Sequence, residues 1–265
     1  MGTIVVTGGT KGIGEKTVGI LKEHGHEVIN VDILRGDITA DLGTAEGREF
    51  AVSEVHKRCP HGLDGLVCNH GIAGLPRHKA SYVLSVNYFG AVYVMEGLYD
   101  LLKKKKGNCV ATVSGAVFTV KREVKGEKYM VHHLLTNCGD EKRISRLVDN
   151  FPIHDDLNAM YLSSKVALAS WVRRVSASWA VNGVNINAAG PGGTATDIME
   201  GFRKPTEAAY YYPMPVMHSE DRAMDPATVA QTLAFLVMPE AKGINGQVVF
   251  CDAGASAIID TSKYF

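Results

Sequence analysis

Apolar and polar positions follow two alternating patterns along the 265-residue chain. Short, nearly continuous apolar runs at residues 3–7, 27–32, 63–69, 108–114, 184–189 and 247–251 read as buried strands. Between them, residues 15–24, 44–58, 81–105, 158–181 and 226–238 read as helices. Asp225 before Pro226 adds a cap followed by proline at the first helical position. Strands alternating with helices, joined by right-handed crossovers, predict an α/β fold: one doubly wound parallel sheet with helices on both faces. Two stretches break the alternation. Residues 117–157 are charged and histidine-bearing, with a helical signal only around 140–150. Residues 193–224 are irregular, with three prolines and the apolar set Met199, Phe202, Tyr210, Tyr211, Tyr212, Met214 and Met217. Loops that long are usually functional or interface-forming.

Composition narrows the function classes. At this length the chain suits one domain, residues 1–265, better than two. A formal net charge of zero gives no steering toward nucleic acid or anionic membrane. The lysine run 103–106 ends a helical pattern, where cations suit the dipole. Five widely spaced cysteines with no Cys-x-x-Cys pair suggest a reducing, cytoplasmic setting rather than a disulfide framework. No signal peptide is expected before the first strand, and no apolar run is long enough to span a bilayer. No histidine spacing matches a metal site.

The first strand runs straight into Gly8-Gly9-Thr10-Lys11-Gly12-Ile13-Gly14, and a helix follows. Strand, glycine turn and helix place a phosphate at a helix N-terminus, where unpaired N–H groups and the macrodipole favour an anion. Gly8 can take the tight turn, Gly12 admits a pyrophosphate to the backbone, and Gly14 lets helix and strand pack closely. Asp32 ends the second strand, where a carboxylate hydrogen-bonds ribose hydroxyls and repels a 2′-phosphate, favouring NAD over NADP. Lys11 argues for NADP, because a cation beside the turn could pair with that phosphate.

Tyr161 and Lys165, four apart on a helix, share one face. A free tyrosine titrates near about 10, and a nearby ammonium lowers that value. Such a phenol can take a proton from an alcohol or give one to a carbonyl. The pair alone is a common motif. Here it follows the glycine turn, Asp32 and a strand ending in Ser114.

Taken together, these pieces resemble the short-chain dehydrogenase/reductase family in its single-domain form, with a Rossmann fold. The matching motifs are the turn at 7–14, Asp41-Leu42, Cys68-Asn69-His70-Gly71, Asn87 in Val-Asn-Tyr-Phe-Gly, Ser114, Tyr161 with Lys165, Pro191-Gly192 and Asp252-Ala253-Gly254. Longer strings at 40–48, 63–67 and 85–91 are similar to the 3α-hydroxysteroid dehydrogenase/carbonyl reductase branch, as is a long insert at 117–157 before the Tyr161 helix. The resemblance implies Tyr161 as general acid/base, with Lys165 lowering its pKa and holding the nicotinamide ribose. It implies that Ser114 orients the substrate oxygen and that Asn87 holds a water in a proton relay. It implies cofactor contacts from Gly8, Thr10, Lys11, Gly12, Ile13, Gly14 and Asp32, from Asp41 and Leu42 at the adenine, and from Asn69 and Gly71 along the cofactor path. Pro191, Gly192, Thr194 and Thr196 would hold the carboxamide and pyrophosphate. His70 stands where the family usually has alanine, and packing is its expected role.

The 193–224 segment would wall and cover the substrate cleft, and its aromatics and methionines suit a broad apolar pocket. The expected activity is NAD(H)-dependent interconversion of a secondary alcohol and a ketone on a hydroxysteroid or bile acid, with the 3-hydroxyl favoured. A general reductase of small cyclic ketones or quinones is the alternative, and a non-catalytic dinucleotide sensor is the reading from another class. The 117–157 insert, anchored by Leu134, Leu135, Ile144 and Leu147, is expected to cover a surface that builds tetramers in this family, leaving a homodimer.

Overall fold

The computed structural model describes residues 2–75, 78–115, 117, 135–136, 139–150, 157–198 and 223–259. Seven strands form one all-parallel sheet in the order β3-β2-β1-β4-β5-β6-β7. They are β1 (Thr3–Thr7), β2 (Glu27–Asp32), β3 (Ile38–Thr39), β4 (Gly65–Cys68), β5 (Asn108–Thr112), β6 (Asn185–Pro191) and β7 (Val248–Cys251). The helices are α1 (Gly12–Glu23), α2 (Ala45–Arg58), α3 (Ala80–Leu84), α4 (Ala91–Gly97), α5 (Tyr99–Lys105), α6 (Glu141–Asn150), α7 (Leu157–Ala180), α8 (Pro226–Val237) and α9 (Ala255–Ile259).

Continuous apolar runs follow from burial on both faces of a parallel sheet. In β1, Ile4 and Val6 join a core with Leu21 of α1 and Leu233 and Val237 of α8. Val5 points the other way, into a larger core with Val55, Met95, Leu101 and Trp171. Side-chain alternation along a strand thus feeds two separate cores. Among the described residues no helix is long and apolar enough to cross a membrane.

The expected fold class stands, with local corrections. The single helix expected at 81–105 is interrupted. A six-residue π-helix, Ser85–Gly90, separates α3 from α4, and Leu98 separates α4 from α5. The strand expected at 108–114 stops at Thr112, so Ser114 lies just beyond its end. β6 runs on to Pro191, which pairs with Cys251 across the ladder. The two-residue β3, a 3₁₀ turn at Pro239–Ala241 and α9 were not expected from the pattern. Asp252 caps α9 by accepting the Gly254 and Ser256 N–H groups at 3.1 and 2.8 Å. The lysine run does end a helix, with Lys106 in the left-handed region at φ 51°.

The helical signal at 140–150 is realised as α6, whose Ile144 and Val148 are buried together with Leu135. Leu147, expected as an anchor, is 38% exposed, because it lies on the flank of the buried face, about 60° round from Ile144 and about 100° from Val148. The other anchor, Leu134, lies outside the described residues, as do most of the 117–157 stretch and the apolar set assigned to the lid.

Gly14 illustrates how closely helix and strand approach. A Cβ there would fall inside the van der Waals shell of the Gly8 carbonyl oxygen and lie 2.7 Å from Asn69 Nδ2. Gly→Ala in a helix normally stabilises by up to about 1 kcal/mol. Gly14→Ala should reverse that sign and destabilise by about 1–3 kcal/mol, the range for overpacking. A urea melt checks this, and a midpoint at or above wild type would contradict the packing described.

Candidate active site

The candidate residues gather at the carboxyl edge of the sheet, where strand order reverses between β1 and β4. Open α/β sheets bind ligands at such a switch point. Gly8 and Gly12 take positive φ, 69° and 56°. A Cβ on Gly8 would meet the His70 backbone at 2.8 Å, so glycine is needed there on two counts. α1 then starts from an extended Lys11 with no side-chain cap. By contrast, Thr44 caps α2 through Gly47 N–H, and Asp225 caps α8 through Ala227 N–H. The uncapped first turn of α1 fits an anion such as a pyrophosphate. Ile13 packs behind it, partly buried in the α1–α8 core.

Asp32 ties this turn to the next loop. Its Oδ2 accepts Thr10 N–H at 3.1 Å and its Oδ1 accepts Leu34 N–H at 2.9 Å. The Thr10 hydroxyl donates to the Arg35 carbonyl. Asn30 supports the turn from β2, accepting Gly9 N–H at 3.0 Å. Ile33 and Leu34, more than half exposed, add apolar surface beside Asp32. An acidic residue followed by apolar residues outside a strand was the signal that could have marked them. Lys11 pairs with Asp197 at 3.1 Å, both exposed, which directs it toward the 193–198 segment. Such a surface pair is worth little on its own.

The family-derived positions 41 and 42 sit farther along this edge. Asp41 accepts Gly43 N–H at 2.8 Å and the Tyr82 hydroxyl at 3.1 Å. Leu42 is buried. On the far side of the turn, a Cβ on Gly12 would lie 3.2 Å from the Thr196 methyl. Thr194 bonds back to the Gly192 carbonyl at 3.0 Å, and Gly192 N–H donates to Cys251 O at 3.1 Å. The 191–196 segment is thereby held against the glycine turn.

A chain of hydrogen bonds leads from the turn to the reactive pair. Asn69 donates to the Gly8 carbonyl at 3.2 Å and accepts the Thr112 hydroxyl at 3.0 Å. The Thr112 carbonyl in turn accepts Lys165 Nζ at 2.9 Å. Thr112 was not singled out in the sequence, because nothing in a strand-end threonine marks it. Asn87, fully buried in the π-helix, clamps Ile72 by accepting its N–H at 2.8 Å and donating to its carbonyl at 3.0 Å. A Cβ on Gly71 would lie 3.2 Å from Lys165 Nζ and 3.3 Å from Asn87 Oδ1, so Gly71 keeps the path between them open.

Ser114 is hydrogen-bonded to the Tyr161 phenol. Burial pushes that phenol above its ordinary value, and the Ser114 bond pulls it down. The expectation that Lys165 lowers it is not met in this arrangement. Lys165 Nζ turns to Thr112 and lies 5.9 Å from the centre of the Tyr161 ring. Burial lowers the lysine itself to about 8.

His70 does more than pack. The Thr7 hydroxyl oxygen accepts the Asn69 and His70 backbone N–H groups at 3.1 and 3.4 Å. Its single proton is then assigned to His70 Nδ1, 2.7 Å away, which leaves the ring proton on Nε2. Nε2 is buried with no hydrogen-bond partner among the described residues. Burial first, then the Lys165 and Arg48 charges, drive His70 down to about 3, with Val86 opposing weakly. Among the described residues no cluster of three or more His, Cys, Asp or Glu could hold a metal ion.

Comparison with known proteins agrees with this fold. A short chain dehydrogenase family model matches residues 2–129, and an enoyl-(acyl carrier protein) reductase family model matches residues 153–256. A 3-alpha-hydroxysteroid dehydrogenase/carbonyl reductase from Comamonas testosteroni is 31% identical over 270 residues, covering 100% of both chains. A coniferyl-alcohol dehydrogenase from a Pseudomonas species is 30% identical, covering 96% of both. The crystal structure of a 3-alpha-hydroxysteroid dehydrogenase from Pseudomonas sp. B-0831, complexed with NADH, superposes with a TM-score of 0.86 at 30% identity, covering 99% of this chain and 100% of that one.

A histidine lowered in the folded state binds its proton first in the unfolded chain. His70 should therefore make stability fall with pH between 6.5 and about 3. In His70→Asn, whose amide oxygen can take the Thr7 bond, the slope there should ease by up to one proton, about 1.4 kcal/mol per pH unit. Urea midpoints across that window check this, and parallel profiles for the two proteins would refute it.

Proposed function

Because the chain belongs to the short-chain dehydrogenase/reductase family, we propose that it interconverts a secondary alcohol and a ketone on a bulky apolar substrate, a hydroxysteroid or bile acid, using NAD(H). The observation that carries this reading is the Ser114–Tyr161–Lys165 cluster, joined to the glycine turn through Thr112 and Asn69. Gly8, Gly12, Gly14, Asp32, Asn69, Gly71 and the 191–196 segment would hold the dinucleotide. When bound, NAD(H) supplies the acceptor or donor of the two electrons.

The chain's own residues move the proton. Ser114 hydrogen-bonds the substrate oxygen and orients it toward the Tyr161 hydroxyl. In oxidation, Tyr161 as phenolate takes the alcohol proton; in reduction, the phenol returns it to the carbonyl oxygen. Lys165, charged below its value of about 8, is the nearest source of positive charge for that phenolate. Asn87 holds Ile72, and with it the 69–72 segment, against Lys165. The Asp32 carboxylate supports NAD over NADP, as do the NADH of the similar structure and the engagement of Lys11 by Asp197. The Comamonas relative is described as a carbonyl reductase too, which keeps reduction of small cyclic ketones or quinones as a second reading.

We also propose a homodimer. Tyr88 and Arg174 bond the carbonyls of Leu135 and Thr136 at 3.0 and 2.7 Å, and buried Leu135, Ile144 and Val148 support a cover over the helices carrying Asn87 and Tyr161. Sedimentation should give a dimer, and a tetramer built through those helices would refute it.

A panel of 3-hydroxysteroids, bile acids and simple cyclic ketones, each with NAD(H) and NADP(H), tests the activity. The highest kcat/KM is expected with a steroid and NAD(H), and a preference for NADP(H) or for small ketones would overturn that part. Tyr161→Phe should keep cofactor affinity and lose kcat by about a hundredfold or more. Near-wild-type turnover would remove Tyr161 from its role.

A further inference from the structure

Arg48 is a charged side chain in a place that normally excludes one. Its residue is 3% exposed, on α2, well away from the Tyr161 cluster in sequence. Its guanidinium bonds three separate parts of the fold. Nε donates to the Leu42 carbonyl at 2.7 Å, and Nη2 reaches the Gly43 carbonyl at 3.4 Å. Nη2 also donates to the Ser85 carbonyl at 2.7 Å. Nη1 and Nη2 together grip the Glu141 carboxylate at 2.6 and 2.9 Å. This is the two-pronged geometry that only arginine provides.

Each of the three partners matters to the site. Leu42 and Gly43 continue from Asp41, the segment read as the adenine contact. Ser85 opens the π-helix that carries Asn87. Glu141 opens α6, in the stretch between Ser114 and Tyr161, and its charge suits a helix N-terminus. The surroundings leave the loop no freedom of its own. A Cβ on Gly43 would lie 2.6 Å from the Tyr82 ring and 2.8 Å from the Val86 side chain, and one on Gly90 would lie 2.5 Å from the Leu42 carbonyl. α6 is fastened at its other end too, where Asp149 accepts Ser81 N–H and Oγ–H at 3.0 and 2.7 Å.

We propose that Arg48 is a positioning residue, paired with Glu141, that fixes the adenine loop and the Asn87 π-helix relative to each other. The 117–157 stretch thereby sets the cofactor site through α6 as well as covering a surface. The role rests on the dinucleotide reading above. Loss of the pair should loosen both ends at once, raising the cofactor Kd and lowering kcat, because a shift of about 1 Å at a distance can lower turnover by about a hundredfold.

The test uses the full chain with NADH alone, followed by fluorescence, and then turnover on the best substrate. Arg48→Met and Glu141→Leu should each lower the Tm, since each strands part of a buried network. The double variant removes both charges and should regain most of the Tm. It should still bind NADH about tenfold more weakly than wild type and show a kcat reduced by about tenfold or more. If the double variant recovers affinity and kcat along with its Tm, the pair is merely structural and the proposal is overturned. Unchanged NADH affinity in a folded single variant overturns it as well. If the wild-type chain binds neither NADH nor NADPH, the dinucleotide reading itself fails, an outcome distinct from the other two.

Discussion

Asn69 holds its side-chain amide across the point where the sheet changes direction. One end takes the carbonyl of Gly8 after β1, the other the hydroxyl of Thr112 on β5. Asn69 itself follows β4, so one amide spans three neighbouring strands. The glycine turn, the lysine ammonium and the Ser114–Tyr161 pair are all placed relative to that bridge. The neighbouring Thr7 hydroxyl reinforces it by accepting the Asn69 backbone N–H. A parallel sheet alone fixes strands only to the accuracy of its ladder. The side-chain bridge carries that order beyond the ends of the strands, into the loops where chemistry is done.

Around this bridge the structure concentrates ionisable groups in a place that opposes their charge. Lys165 and His70 are both driven down by burial, and Tyr161 is driven up. The effect is to hold His70 and the Tyr161 phenol neutral, while Lys165, lowered to about 8, is the one of the three that titrates near neutral pH. Arg48 is different in kind, since guanidinium stays charged at any working pH. Its compensation comes from Glu141 and from backbone carbonyls rather than from proton loss. One buried cation near the site is thus adjustable and the other fixed.

Much of this was legible from residues alone. Apolar runs found the six longer strands to within two residues at either end, because burial on both faces leaves little room for polar substitutions. The glycine turn, Asp32, Tyr161 and Lys165 were legible because their chemistry restricts residue type. The two-residue β3 carries too little periodicity to detect. The break in the 81–105 helix was invisible because residues 85–90 keep a helical composition while changing only their hydrogen-bond spacing. Thr112, Asn30 and Arg48 escaped notice for another reason. Asn30 and Arg48 bond backbone groups of other residues, Thr112 offers its own carbonyl to Lys165, and a backbone group leaves no mark in a sequence. Lys11 drew a competing reading because its partner, Asp197, lies 186 residues away.

The π-helix at Ser85–Gly90 has a consequence for what lengths this chain can tolerate. A π turn stores one residue more than an α turn, which shifts the phase of everything downstream by about 100°. Before it, α3 packs against α6 and α7; after it, α4 packs against α2 and β4. The two halves present different faces because of that single extra residue. Deleting one residue in this window would give an unbroken α-helix with excellent local geometry, yet it would swing Val94 and Met95 out of the core. Frame-preserving losses of one codon, harmless in many loops, are therefore excluded here. The bulge also gives Asn87 the place from which it holds Ile72, so closing it would release that clamp as well.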